Sequence, residues 1–131
     1  DTAVGEIWAY DYDQETGAVS NRRTFARVDA AAGGGPDGST VDVEGCVWNV
    51  LVYSGRIIRY RPDGSVDRVI DMPVKKVTSV MFGGPNLDIL YVTSMAKPPL
   101  PRFPGDGVQR GSLFSITGLG IKGVPEPRFA G

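Results

Sequence analysis

A six-residue pattern recurs along this chain and limits its possible folds more than any other feature. Gly5-Glu6-Ile7-Trp8-Ala9-Tyr10 is echoed by Gly55-Arg56-Ile57-Ile58-Arg59-Tyr60 and by Gly111-Ser112-Leu113-Phe114-Ser115-Ile116. A second pair, Val47-Trp48-Asn49-Val50 and Leu90-Tyr91-Val92-Thr93, precedes the two later copies. Each copy is a short apolar or alternating run beside turn residues, so each reads as a strand. A repeat of roughly 40–50 residues that holds several short strands is the pattern of a β-propeller blade.

Helices have little room. The 131 residues include 18 Gly and 10 Pro, which interrupt almost every window long enough for a helix. Strands are predicted at 6–12, 19–28, 40–43, 47–53, 56–61, 66–72, 78–82, 89–93 and 112–117, with an outer strand within 122–129. The chain is then all-β. Residues 1–30 form the outer half of a blade, 36–74 a full blade and 77–131 the last one. The proline-rich excursion 96–106 is a long loop. Such an arc cannot close a ring, and it leaves apolar sheet faces and strand edges uncovered. The expected cover is further blades from another segment or chain, or self-association.

Composition removes several functions. Fourteen basic residues against 15 acidic ones give a net charge of −1, without the positive surplus of a nucleic-acid module. No apolar run approaches the roughly 18 residues of a membrane-spanning helix, so no membrane partner is expected. With no sequon and no secretion signal in these residues, the expected location is cytoplasmic. Cys46 is the single cysteine and histidine is absent. An internal disulfide, a Ser-His-Asp triad and a Cys-His pair are therefore excluded within these residues. A metal held here must be an ion that accepts oxygen ligands.

Several local runs match one known family. Asn21-Arg22-Arg23, Pro36-Asp37-Gly38, Asp42, Glu44-Gly45, Val47-Trp48, Gly55-Arg56-Ile57-Ile58-Arg59 and Pro62-Asp63-Gly64 resemble the regucalcin/gluconolactonase (SMP-30) family. So do Pro73-Val74, Thr78-Ser79, Phe82-Gly83-Gly84, Leu90-Tyr91-Val92-Thr93-Ser94, Gly111-Ser112-Leu113-Phe114 and Phe129-Ala130-Gly131. The resemblance implies a six-bladed β-propeller of which this chain supplies roughly the last two and a half blades, the C-terminal part. It also implies hydrolysis of a sugar lactone with a divalent metal ion (Ca, Zn, Mg or Mn) at the mouth of the central channel. The family holds that ion with a Glu, two Asn and the Asp of the Pro-Asp-Gly motif. Only the last maps here, to Asp37, which the resemblance makes both metal ligand and catalytic base. Asp1 matches a family Asp a few residues beyond the second Asn ligand.

The residues also admit plainer readings. Pro-Asp-Gly is a strong turn former, and Pro62-Asp63-Gly64 repeats it between two strands. Residues 11–17 look like a calcium loop but put Gly at the seventh place and Arg22 where the twelfth-place Glu belongs, so a solvated hairpin turn is expected. Lys75-Lys76 reads as a solvated turn pair. Thr78, Ser79 and Phe82 open the last blade near the channel mouth, and Thr78 and Phe82 are expected in reach of substrate. Cys46 reads as a buried, inert strand residue. The competing function is a non-catalytic propeller fragment serving as scaffold or binding surface. A third reading keeps the propeller and exchanges the lactone for another ester or a phosphotriester.

Overall fold

The computed structural model describes residues 1–28, 33–97, 101 and 106–127. Three antiparallel sheets follow one another along the chain. The first pairs β1 (Glu6–Tyr12) with β2 (Val19–Arg27). The second runs in order β3 (Gly35–Val41), β4 (Val47–Val52), β5 (Arg56–Tyr60) and β6 (Val66–Asp71). The third comprises β7 (Val77–Gly83), β8 (Ile89–Ser94) and β9 (Phe114–Ile116). Every strand pairs with its sequence neighbour, the up-and-down order of propeller blades. The chain is a partial β-propeller, and no helix among the described residues is long and apolar enough to cross a membrane.

Three expected strands differ. The strand expected at 112–117 is shorter, Phe114–Ile116. The strand expected at 40–43 begins at Gly35 and takes Pro36-Asp37-Gly38 into its ladder. The outer strand expected within 122–129 does not form over the described residues 122–127. Gly118 and Gly120 bend the chain at positive φ, and Pro125 and Pro127 lack the N–H a ladder needs. The segment turns back instead. Gly123 forms an isolated bridge with Asp42, and Val43 donates its N–H to the Lys122 carbonyl at 3.0 Å. Residues 128–131 lie outside the described residues.

The core lies between the second and third sheets. Trp48, Val50 and Ile57 meet Val77, Val80, Phe82, Leu90 and Val92, and Val74 and Ile121 close the margins. Strand β4 is the pivot, since all but its first residue are buried. The Trp48 ring stands edge-on to Phe82, centroids 5.7 Å apart at 85°, a favoured aromatic geometry.

The polar edge of Trp48 is satisfied by a buried acid. Asp42, 1% exposed, accepts hydrogen bonds from the Trp48 indole (2.8 Å), the Arg59 Nε (2.8 Å) and the backbone N–H groups of Glu44 and Cys46. Arg59 also pairs with Glu44 and Asp67 and lies 5.7 Å from the Trp48 ring centroid. Burial alone raises the Asp42 carboxyl, but the hydrogen bonds from Trp48, Arg59 and the two N–H groups outweigh it and hold it below its ordinary value.

Two outcomes follow for the full-length protein. Arg59→Ala leaves Asp42 buried without its cation and destabilises the fold by about 3–5 kcal/mol in chemical denaturation. Arg23→Ala, which removes an exposed pair with Asp11, leaves the unfolding midpoint almost unchanged. The Asp42 contribution is complete above the ordinary aspartate pKa of about 3.9 and is lost as pH falls through the lower folded-state value. Asp42→Asn therefore shows less loss of stability on acidification than the parent, as read by thermal melting from neutral to acid pH.

Candidate functional site

The two Pro-Asp-Gly copies fold differently. Pro62-Asp63-Gly64 is a tight turn between β5 and β6, with Gly64 at φ 84°. The Asp63 carboxylate is used inside that turn, accepting from the Ser65 N–H at 2.9 Å and the Ser65 hydroxyl at 2.6 Å. Pro36-Asp37-Gly38 is instead part of β3. Pro36 faces Leu51 and Ser39 faces Asn49, so Asp37 and Gly38 together oppose Val50 as a β-bulge. Proline is tolerated because β3 is the edge strand of its sheet.

Gly38 is required by contact rather than by its own dihedral angles. A Cβ at this position would lie 2.5–2.7 Å from the Oγ, Cα and Cβ atoms of Ser79 on β7. The bulge therefore sits at a close approach between the second and third sheets. Asp37, one residue earlier, is exposed. Partial desolvation raises its carboxyl above the ordinary value, opposed by the Gly38 N–H, which favours the charged form.

Asp37 lines a cleft of about 340 Å³ between the first and second sheets, with Trp8, Tyr10, Pro36, Ser39 and Asn49. The Thr2 hydroxyl donates to the Pro36 carbonyl at 2.7 Å and ties the first segment to β3. Asn49, on β4, is 1% exposed. Its Nδ2 donates to the Asp37 carbonyl and to the Ser39 hydroxyl, each at 2.8 Å, and more distantly to the Gly38 carbonyl at 3.4 Å. Asn49 was not among the sequence candidates. The available signal was a lone amide inside the apolar run Val47-Trp48-Asn49-Val50-Leu51-Val52.

The other sequence candidates lie elsewhere. Phe82 is 5% exposed and packs against Trp48. Strand alternation turns Val80 and Phe82 into the core between the sheets, so the expected substrate contact of Phe82 gives way to a packing role. Thr78 sits at a bulge of β7, half-buried, its hydroxyl 2.8 Å from that of Thr93 and not on the Asp37 cleft. Lys76 corrects the reading of a solvated pair. It is 2% exposed, meets the Asp106 carboxylate at 2.6 Å and donates to the Lys97 carbonyl. Of the two adjacent lysines just before β7, Lys75 is exposed and Lys76 turns inward, and an acid 30 residues further along the chain was not visible as its partner. Residues 11–17 form an exposed hairpin turn in which Asp13 accepts the N–H groups of Glu15 and Thr16. Cys46 is buried, and burial pushes its thiol up.

Among the described residues no three Cys, Asp or Glu side chains cluster as a metal site. Asp37 supplies one hard oxygen donor. That chemistry fits a divalent ion, but a calcium shell takes about six to eight oxygens, so the described residues provide one carboxylate of it.

Comparison with known proteins places this geometry. The family described as "SMP-30/Gluconolactonase/LRE-like region" matches residues 1–96. The chain belongs to this family. It is 38% identical over 132 residues to regucalcin of Xenopus laevis, 41% over 136 residues to that of Gallus gallus and 39% over 136 residues to that of Homo sapiens. In each case all of this chain and 44% of the relative are covered, so the chain spans less than half the length of these relatives. The share covered does not itself say which end of the relatives is matched, and the C-terminal placement implied by the resemblance is not borne out. Among solved structures, a luciferin-regenerating enzyme superposes with a TM-score of 0.79 at 34% identity, covering 95% of this chain and 41% of its own. A calcium-binding regucalcin from Agrobacterium tumefaciens superposes with a TM-score of 0.81 at 31% identity, covering 97% and 43%.

The close approach at Gly38 carries a testable consequence. Gly38→Ala forces the second and third sheets apart and destabilises the full-length protein by about 1–3 kcal/mol in denaturant unfolding. Adding Ser79→Gly, which removes two of the three clashing atoms, restores part of that loss.

Proposed function

We propose that this chain contributes to the metal-dependent hydrolysis of a sugar lactone, with Asp37 as metal ligand and general base. The observation that carries this reading is the divergence of the two Pro-Asp-Gly copies. Asp63 uses its carboxylate within its own turn, whereas Asp37 stands exposed on a bulge of an edge strand and lines a cleft. Family membership supports the same reading, since the family description includes gluconolactonase and a solved neighbour is described as calcium-binding.

A divalent ion bound there would supply Lewis-acid polarisation of the lactone carbonyl and acidify water. The other donors of its shell come from residues outside those described. Asp37 accepts a proton as water adds to the carbonyl carbon, and returns it to the ring oxygen as the ester C–O bond breaks. The products balance as one hydroxy acid from one lactone and one water. Asp37 is suited to this exchange because it is exposed on one side and held by a fixed backbone on the other.

Asp37→Ala in the full-length protein, assayed on a gluconolactone with Ca²⁺, Zn²⁺, Mg²⁺ or Mn²⁺ added, lowers kcat by about 10²–10⁴-fold. Equal activity in parent and variant, or no lactonase activity in the parent, favours a non-catalytic scaffold instead.

A further inference from the structure

Asn49 is an unexpected residue for its position. It stands between Trp48 and Val50, both wholly buried, on a strand otherwise made of Val, Trp and Leu. An aliphatic side chain there would satisfy the core without burying an amide. Asn49 also leaves its Oδ1 buried with no hydrogen-bond partner among the described residues. Such a group is a stability cost, and a native fold that keeps one calls for an explanation.

The amide cannot be turned round to escape that cost. Asp37 and Gly38 present carbonyl oxygens, which only accept, so the Nδ2 must face them and the Oδ1 must face away. All three contacts of the Nδ2 fall on residues 37–39, where the β3 ladder slips out of register. A bulge leaves backbone groups without ladder partners. Here the missing donors come from a side chain on the neighbouring strand, which pins the backbone that carries the Asp37 carboxylate.

We infer that Asn49 is a positioning residue for Asp37, fixing the bulged backbone so that the carboxylate is presented at one place in the cleft. This role rests on the reading of Asp37 as a metal ligand. A ligand held by a locked backbone gives up less freedom when the ion arrives, and supports of this kind are worth about 10–100-fold in metal affinity.

Asn49→Val in the full-length protein keeps strand propensity and removes the amide. Titrated with Ca²⁺ by calorimetry, it binds about tenfold more weakly than the parent. Amide hydrogen exchange quickens over residues 37–40 and not over the rest of the second sheet. Asn49→Ser, which restores one donor, recovers part of the affinity. Unchanged Ca²⁺ affinity in Asn49→Val overturns the role, as does a loss accompanied by faster exchange throughout the second sheet. If Asn49→Val does not fold, Asn49→Ser carries the same two readouts, and parental affinity with faster exchange at 37–40 again overturns it. Asp37→Ala separates the two claims. If it binds Ca²⁺ as the parent does, the metal-ligand reading fails and the positioning role with it. If it binds weakly while both Asn49 variants bind normally, only the positioning role fails.

Discussion

Trp48 is the contact on which the arrangement of the sheets depends. Its ring system meets Phe82 of the third sheet in a T-shaped contact, and its indole N–H is taken up by Asp42. Apolar contact alone would let two sheets slide, because it has no direction. The hydrogen bond to Asp42, with Arg59 beside it, gives the ring a single orientation. Fixing Trp48 fixes β4, and β4 carries Asn49 one residue later. The same strand thus organises the core on one side of its backbone and the Asp37 bulge on the other.

The bulge gathers several requirements at one point. Pro36 needs an edge strand, Gly38 must lack a side chain to pass Ser79, and the carbonyls of 37 and 38 need donors that no ladder supplies. Each requirement is met by a different part of the chain. The exposed carboxylate of Asp37 is held by the consequences of packing rather than by the turn chemistry of its tripeptide. Asp63 has the same two neighbours and a wholly local set of hydrogen bonds.

Sequence periodicity was enough to find the sheets, because strands bounded by Gly, Pro and Asp announce themselves locally. Strands β1, β2, β4, β5, β6, β7 and β8 fall within a residue of the expected limits. The start of β3 was missed because Pro36-Asp37-Gly38 favours a turn in isolation, and only pairing with β4 draws it into a strand. Asp37 was legible as a candidate through family resemblance, since local sequence alone does not separate it from Asp63. Its support by Asn49 was not legible. Nor were the Asp42–Arg59 and Lys76–Asp106 pairs, because their partners are brought together by topology and not by spacing along the chain. The fate of Phe82 has the same origin, as a strand's two faces can be told apart only once its neighbours are known.

The buried lysine just before β7 has a consequence for how the chain beyond it is held. Lys76 donates to the carbonyl of Lys97 and pairs with the carboxylate of Asp106, while the Lys75 N–H donates to the second oxygen of the same acid at 2.8 Å. Both ends of the long connection between β8 and β9 are thereby moored to a single point in the sheet. One buried ammonium therefore governs how both Lys97 and Asp106 meet the third sheet, and its loss would release the two together.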